Sequence, residues 1–410
     1  MRVLIFSSSA GNGHNSTAKR ISEKIMENDS DAVIEVVDAY VSYAGKLKAW
    51  IMEQGYFLAC NHFVGLYNHF FKKSEKSTPE NRDKAGANRD TYSLLYGMLN
   101  KIYEFKPDVI ISTYIFCSVA LTNIKRCYNI PAKVMCMALD YGISPYWECC
   151  CRGLDYMFLT GDYMLEKFKY LGYSDEQLIV SGIPVADKFF VKKPMLESRR
   201  ALGLDENLFT VLVMKASFFP VTNAQLMKEF KKITTPIQIV IINGKDEKCR
   251  ADFEKRIKSA HLPHNIVNLG FTNQIVDYLN ASNIVLGKAG GLSSTEQISM
   301  GKPSLIVDKL PQQEIYNKNY LIDNGCGLAV TKHTIASNIE LLLNDKGVYQ
   351  SLVDSALKIR KEFPLDKIYS VISSCPKANY DNLTLNENKR QVIKNIDKAR
   401  KNAIKMAKKA

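Results

Sequence analysis

The sequence lacks any long apolar run. Its longest stretch free of Asp, Glu, Lys and Arg is the 18 residues from Gln54 to Phe71, and these include Gln54, His62 and His69, which makes a poor membrane span. No secretory leader is expected either, because the apolar run Val3-Leu4-Ile5-Phe6 is only four residues long. No G-X-Y or heptad period persists, which excludes collagen-like and coiled-coil chains. Cysteine is present but not concentrated: ten residues lie at positions 60, 117, 127, 136, 149, 150, 151, 249, 326 and 375, without the density of a disulfide scaffold. The run Cys149-Cys150-Cys151 does not have the Cys-x2-Cys spacing that lets ligands reach around one zinc ion. Buried or tolerated thiols are the expectation there, and a cytoplasmic location for the chain.

What is present is an ordinary globular composition. With 46% hydrophobic and 24% charged residues the chain is not disordered, and 410 residues suggest two or three domains. The net charge of +13 resembles a nucleic-acid signal until its distribution is considered. Residues 389–410 hold nine Lys or Arg against one acid, Asp397, which leaves +5 for the other 388 residues. No nucleic-acid partner is predicted. Within the basic tail Val392, Ile393, Ile396, Ala399, Ala403, Ile404 and Ala407 recur at helical spacing. Such a helix either lies on an anionic lipid surface or docks on its own protein by a modest apolar stripe.

Strands and helices alternate along the chain, the pattern of a mostly parallel sheet covered on both faces. Short apolar strands are predicted at 2–7, 33–37, 108–112, 132–137 and 156–159, with a helix over 14–28. A charged, helix-prone connector from Lys188 to Asn207 follows. A second series has strands at 209–214, 237–242, 266–269, 284–286 and 304–307. The fold class is therefore α/β, as two Rossmann-like lobes facing a central cleft. Ligands in such sheets bind beyond the carboxyl ends of the strands.

Three strand-end loops carry ligand-type residues. The first, Ser7-Ser8-Ser9-Ala10-Gly11-Asn12-Gly13-His14, offers Gly11 and Gly13 for close backbone approach and His14 as a titratable base. A dinucleotide site is its rival, with Asp38 placed as the ribose-binding acid, but position 16 is Ser where the third glycine of that fingerprint belongs. The second loop, Gly287-Lys288-Ala289-Gly290-Gly291-Leu292-Ser293-Ser294-Thr295-Glu296, opens a helix. Amides from Gly291 through Leu292 and Ser293 to Ser294 suit a diphosphate, and Glu296 one turn in suits a ribose. A capped helix start with a first-turn acid has the same composition. In the third loop, Pro311-Gln312-Gln313-Glu314-Ile315-Tyr316-Asn317, the side chains of Gln313, Glu314 and Asn317 match sugar hydroxyls; an exposed polar helix start is the plainer alternative.

Those two carboxyl-half loops, with Met300-Gly301-Lys302-Pro303 and Asn324-Gly325, resemble the donor-site signature of glycosyltransferase family 28. The Gly-x-Gly-His opening, Ala138-Leu139-Asp140, Pro145-Tyr146-Trp147 and Gly182-Ile183-Pro184-Val185 resemble the branch containing monogalactosyldiacylglycerol synthases and processive diacylglycerol glucosyltransferases. The resemblance runs from about Val3 to Val330. It implies a GT-B fold with an acceptor lobe over 1–190, a UDP-sugar lobe over 200–365, and C-terminal helices over 366–410 returning to the first lobe. It places the diphosphate on Gly290 and Gly291, the ribose on Glu296, the sugar on Gln313 and Glu314, and the uracil beside Phe271 and Thr272. His14 and Asp140 then face the acceptor hydroxyl, either able to serve as base, with His14 preferred for its loop position. One departure stands out. Met214-Lys215-Ala216-Ser217-Phe218-Phe219 occupies a turn that is usually glycine-rich, and Lys215 becomes a candidate cation for the leaving phosphate.

The implied reaction is an inverting transfer of a hexosyl group from a UDP-sugar to a lipid acceptor, diacylglycerol or a relative, with no cofactor and no metal. Asp29-Ser30-Asp31, the sole Asp-x-Asp, lies away from every strand-end loop. Aromatic residues between Trp50 and Phe71, followed by Lys72 and Lys73, suit a membrane interface, although core packing is the alternative. With the basic tail, they predict peripheral attachment to the inner face of the cell membrane through its anionic surface. A non-catalytic UDP-sugar or lipid-binding protein and an NAD-dependent oxidoreductase are the rival functions.

Overall fold

The computed structural model describes residues 1–9, 12–77, 89–151, 153–215, 219–381 and 383–407. The chain forms two compact units: residues 1–56, 69–185 and 363–410 make the first, and residues 57–68 with 186–362 make the second.

The first unit is built on β1 (Arg2–Ser7), β2 (Val33–Asp38), β3 (Val109–Ser112), β4 (Lys133–Met137), β5 (Tyr156–Leu159) and β6 (Leu178–Val180). They form one parallel sheet in the order β2-β1-β3-β4-β5-β6. Because β1 is an interior strand, paired on both sides, its apolar run is buried on both faces, as parallel sheets require. Leu4 and Phe6 join one core with the helices Arg89–Phe105 and Ile115–Cys127. Val3 and Ile5 point the other way, into a core with Ala18, Ile21 and Ile25 of the helix Asn12–Asn28. The chain's C-terminal part completes both layers. Leu365, Ile368 and Ile372 of the helix Pro364–Ser373 enter the second core, and Val392 and Ile396 of the basic helix Lys389–Ala407 are buried in the first. The apolar stripe of the basic tail is thus a docking stripe where it begins, with Lys394 and Lys398 on its exposed side.

In the second unit β7 (Thr210–Met214), β8 (Gln238–Ile242), β9 (Asn265–Leu269), β10 (Ile284–Gly287), β11 (Ser304–Val307) and β12 (Gly327–Val330) form a parallel sheet in the order β12-β11-β10-β7-β8-β9. Counted from β7, this is the strand order of a doubly wound nucleotide-binding sheet. Val211, Leu212, Val213, Ile284, Val285 and Leu286 are fully buried at its centre. The expected α/β class is present in both units. The two strands not anticipated, β6 and β12, are three and four residues long and lie at sheet edges, where a short run leaves little periodic signal.

Each sheet reverses its strand order once, between β1 and β3 and between β7 and β10. Those reversals open crevices at the carboxyl ends of the strands. Asp29 and Asp31 precede β2 and so stand at the opposite, amino end; Asp29 pairs with the chain's N-terminal ammonium at 3.6 Å.

Candidate active site

At the first reversal β1 ends in Ser7 and the 12–28 helix begins at once, so His14 falls in its first turn. Its Nδ1 lies 2.6 Å from the carbonyl oxygen of Thr113, just past β3. A carbonyl only accepts, so Nδ1 carries the hydrogen and Nε2 holds the lone pair of the neutral ring. Burial lowers the pKa of His14 below its ordinary value and so favours the neutral imidazole at pH 7, against the Thr113 bond, which acts to raise it. The surrounding loop is closed by its own side chains. Ser7 donates to Asn15 Oδ1 at 2.6 Å, and Thr113 donates to Ser7 at 3.0 Å. Asp38, the candidate ribose acid of a dinucleotide site, takes Ser9's hydroxyl on one oxygen and the Val41 amide on the other at 3.1 Å. Gly13 lies in the helix start, while Gly11 lies outside the described residues.

An aromatic ladder, not anticipated from the sequence, flanks this histidine. Tyr114 meets His14 edge-on with centroids 4.9 Å apart and also touches Tyr40 and Phe116, and Phe116 touches Tyr146 at 5.3 Å. Tyr114, Phe116 and Tyr146 are each only partly covered. Asp140 follows β4, the strand beside β3, and is partly exposed; Tyr163 pins that loop by donating to the Tyr141 carbonyl at 2.7 Å.

At the second reversal β10 runs into Lys288-Ala289-Gly290 and the helix Gly291–Ser299. Gly290 is the N-cap, so no capping side chain covers the first-turn amides of Gly291, Leu292 and Ser293. Those amides carry the positive end of the helix dipole. The Lys288 ammonium stands beside Gly290 and pairs with Glu314 Oε1. Glu314 belongs to the helix Gln312–Asp323, the third ligand loop, so two of the predicted loops meet here. Asn317 is fully buried and donates to the Ala289 carbonyl at 2.9 Å, which makes it a brace of the Ala289-Gly290 turn. Glu296 is buried in the second turn of the 291–299 helix. Buried acceptors without partners gather here as well: Gln312 Oε1 and Glu314 Oε2, with the Ser294 hydroxyl nearby in sequence to the cradle.

Lys215, the other candidate cation, faces elsewhere. Its ammonium bonds Asn223 and sits over the Phe253 and Phe219 rings at 4.8 and 5.6 Å. Lys288 is the cation at the cradle, and the sequence signal for it was its place between β10 and Gly290. Residues 216–218 lie outside the described residues. Phe271, mostly exposed, and Thr272, which accepts from the Gln274 amide at 3.0 Å, follow the edge strand β9. That edge is three strand steps from β10, about 14 Å at the usual spacing. Lys302 of the Met-Gly-Lys-Pro motif is structural. Its buried ammonium donates to the carbonyls of Asn280 and Ser282, and burial lowers its pKa to about 8.

Two cysteines of the run are locked into local structure. Cys150 and Cys151 are buried and donate to the carbonyls of Tyr146 and Glu148 at 3.8 and 3.3 Å, and burial holds the Cys150 thiol well above its usual pKa. Among the described residues no three His, Cys, Asp or Glu side chains converge as a metal site, and no helix is long and apolar enough to cross a membrane.

Residues 14–185 match the Monogalactosyldiacylglycerol (MGDG) synthase family, and residues 217–347 match the glycosyltransferase family 28 C-terminal domain. The chain belongs to glycosyltransferase family 28. It is similar to a processive diacylglycerol beta-glucosyltransferase of Staphylococcus saprophyticus, 24% identical over 360 residues that cover 86% of this chain and 88% of the relative. MurG of Acinetobacter baumannii aligns with a TM-score of 0.59 at 12% identity, over 91% of this chain and 99% of that one. A UDP-GlcNAc 2-epimerase from Neisseria meningitidis, solved with UDP-GlcNAc, aligns with a TM-score of 0.56 at 14% identity, over 91% and 99%. These likenesses show the GT-B fold alone, since a transferase and an epimerase share it. The family assignment, carried by both halves, makes this glycosyltransferase an enzyme of transfer to an acceptor.

Proposed function

We propose that the enzyme transfers a hexosyl group from a UDP-hexose to diacylglycerol or a related lipid, with inversion, while attached to a membrane surface. The observation that carries this reading is the pairing of an uncapped helix start with Lys288 and Glu314 in one unit, and a neutral, oriented histidine in the other. Named relatives acting on diacylglycerol and a fold neighbour holding a UDP-sugar support the substrate classes.

In this reaction Nε2 of His14 takes the proton of the acceptor hydroxyl as its oxygen attacks the anomeric carbon. The bond from that carbon to the diphosphate breaks, and UDP leaves. Charge developing on the diphosphate is met by the amides of Gly291 to Ser293 and by Lys288, fixed dipoles and a cation in place before the reaction begins. Glu296 receives the ribose hydroxyls, Gln313 and Glu314 the hexose, and Phe271 with Thr272 borders the uracil. Asp140 stands by on the acceptor side as a second carboxylate for orienting the nucleophile. These amides and Lys288 take the part a metal has in other transferases, so turnover should persist in EDTA.

The lipid acceptor is reached through the helices Lys46–His62 and Val64–Glu75. Leu47, Trp50, Ile51, Leu58, Phe63, Leu66 and Phe70 are each more than half exposed there. Side chains of this size normally prefer burial, and a membrane interface supplies it without a spanning helix. Exposed Lys72 and Lys73 and the basic face of the C-terminal helix favour anionic lipid.

The test is UDP release from a panel of UDP-hexoses over vesicles of diacylglycerol in anionic lipid, with the anomeric configuration of the product read by NMR. A β-linked glycolipid from an α-linked donor supports the reading. UDP binding without release under any lipid condition would assign a binding protein instead, and a retained anomer would exclude the single displacement.

A further inference from the structure

The helix Val64–Glu75 has two different faces. Phe63, just before it, with Leu66 and Phe70, is exposed, whereas Val64, Tyr67, Asn68 and Phe71 are partly covered, the three-and-four spacing of a helix side. Its first turns, residues 64–68, fold with the donor unit although they lie more than 240 residues earlier in sequence. There the Tyr67 hydroxyl donates to Gln313 Oε1 at 3.1 Å, and Asn68 Nδ2 donates to the Leu310 carbonyl at 3.0 Å. Gln313 belongs to the loop that carries the predicted sugar-binding side chains, and Leu310 directly precedes it.

The unsatisfied atoms around this contact share one chemistry. Asn68 Oδ1, Gln312 Oε1 and Glu314 Oε2 are buried acceptors without a donor, and Gln312 and Glu314 are only 3% and 6% exposed. Buried polar atoms are normally paired, so several acceptors around one loop mark a place where a ligand brings donors. Hexose hydroxyls are such donors, while a phosphate or a second carboxylate is not.

We infer that Tyr67 and Asn68 are part of the hexose subsite, Tyr67 as a positioning residue that orients the Gln313 amide and Asn68 as a specificity residue whose Oδ1 accepts from a sugar hydroxyl. This rests on the donor reading above and names two residues outside the donor motifs that complete it. Tyr67 acts through Gln313, and Asn68 touches the sugar itself.

The experiment compares the full-length wild type with Tyr67→Phe, Asn68→Ala and Asn68→Asp, using calorimetric titration with UDP and steady-state kinetics with UDP-glucose and UDP-galactose. Tyr67→Phe and Asn68→Ala should keep UDP affinity within about twofold and raise KM for the preferred UDP-hexose about five- to tenfold, the scale of one lost hydrogen bond. Asn68→Ala should also narrow the kcat/KM ratio between the two sugars, and Asn68→Asp, which keeps an acceptor oxygen, should restore most of that ratio. Unchanged KM and sugar ratio would overturn the inference. So would UDP affinity falling in step with UDP-hexose affinity, because that pattern belongs to a structural role. Failure of the wild type to bind UDP overturns the donor reading itself and is recognised before any variant is made.

Discussion

The reversal between β1 and β3 and the reversal between β7 and β10 are the same topological feature filled with opposite chemistry. Around its histidine the first is packed with neutral side chains, His14 on Thr113, Ser7 on Asn15 and the edge of Tyr114 against the imidazole, while the carboxylate of Asp38 is taken by Ser9 and the Val41 amide. The second is left open at the backbone, with a glycine N-cap, a lysine and a carboxylate, and acceptors still lacking donors. A proton acceptor needs a ring held neutral and in one tautomer, which burial and a single carbonyl partner provide. A diphosphate needs amides that no side chain has already taken. On the proposed reading, one sheet topology is put to acid–base work where its crevice is filled by side chains and to anion binding where its backbone is left open.

The strongest way to break this comparison is His14→Ala. If the first crevice does the proton transfer, kcat should fall by about 10² to 10⁴ with UDP affinity unchanged, read by kinetics and calorimetry on the same preparation. Loss of both would mean that the variant disturbs the fold. Next comes the exposed apolar segment from Leu47 to Phe70. Trp50→Ser, Phe63→Ser and Phe70→Ser combined should weaken partition onto anionic vesicles about 100-fold, at about 1 kcal/mol for each half-buried side chain. Sedimentation measures it, and equal partition of wild type and variant would disprove the surface assigned. At the second crevice Lys288→Gln should weaken UDP binding by about 30-fold, a charge-assisted contact being stronger than a neutral one. Lys215→Gln should change UDP affinity less, since that ammonium is engaged by Asn223. If the two lysines exchanged these effects, the assignment of the cradle cation would be wrong.

The smallest effect is in pH. His14 has a pKa lowered by burial, so activity should be flat from pH 7 down to about its ordinary value near 6.5 and fall only below it. Stability follows the same sign. Between the lowered folded value and 6.5 the unfolded chain binds the extra proton, so acidification through that window destabilises the fold, and above it the histidine contributes no pH dependence. Replacing His14 with Gln should flatten that part of a denaturation–pH curve, and an unchanged slope would remove His14 as its source.

Much of this could be read from residue order. The central strands were legible because each is a short apolar run bounded by helix or turn, and the glycine turn because Gly290 and Gly291 directly follow one. Edge strands β6 and β12 were not, being too short to show a period. Asn317 read as a sugar ligand by its type, yet its burial against Ala289 makes it a brace. Lys215 and Lys288 are equivalent in composition, and only their neighbours separate them. The aromatic ladder of Tyr114, Phe116 and Tyr146 joins residues from two loops, and no spacing rule connects those.

By itself the amino-acid order determined the α/β class, the strands at the heart of both sheets, the glycine turn before the 291–299 helix and the family that these motifs resemble. All of these follow from local periodicity and from the backbone freedom of particular residues. Tertiary structure decided which lysine stands at the cradle, which tautomer His14 adopts, and that Tyr67 and Asn68 reach a loop more than 240 residues away. A hydrogen bond depends on distance and direction between atoms, and chain folding sets both for residues far apart in sequence.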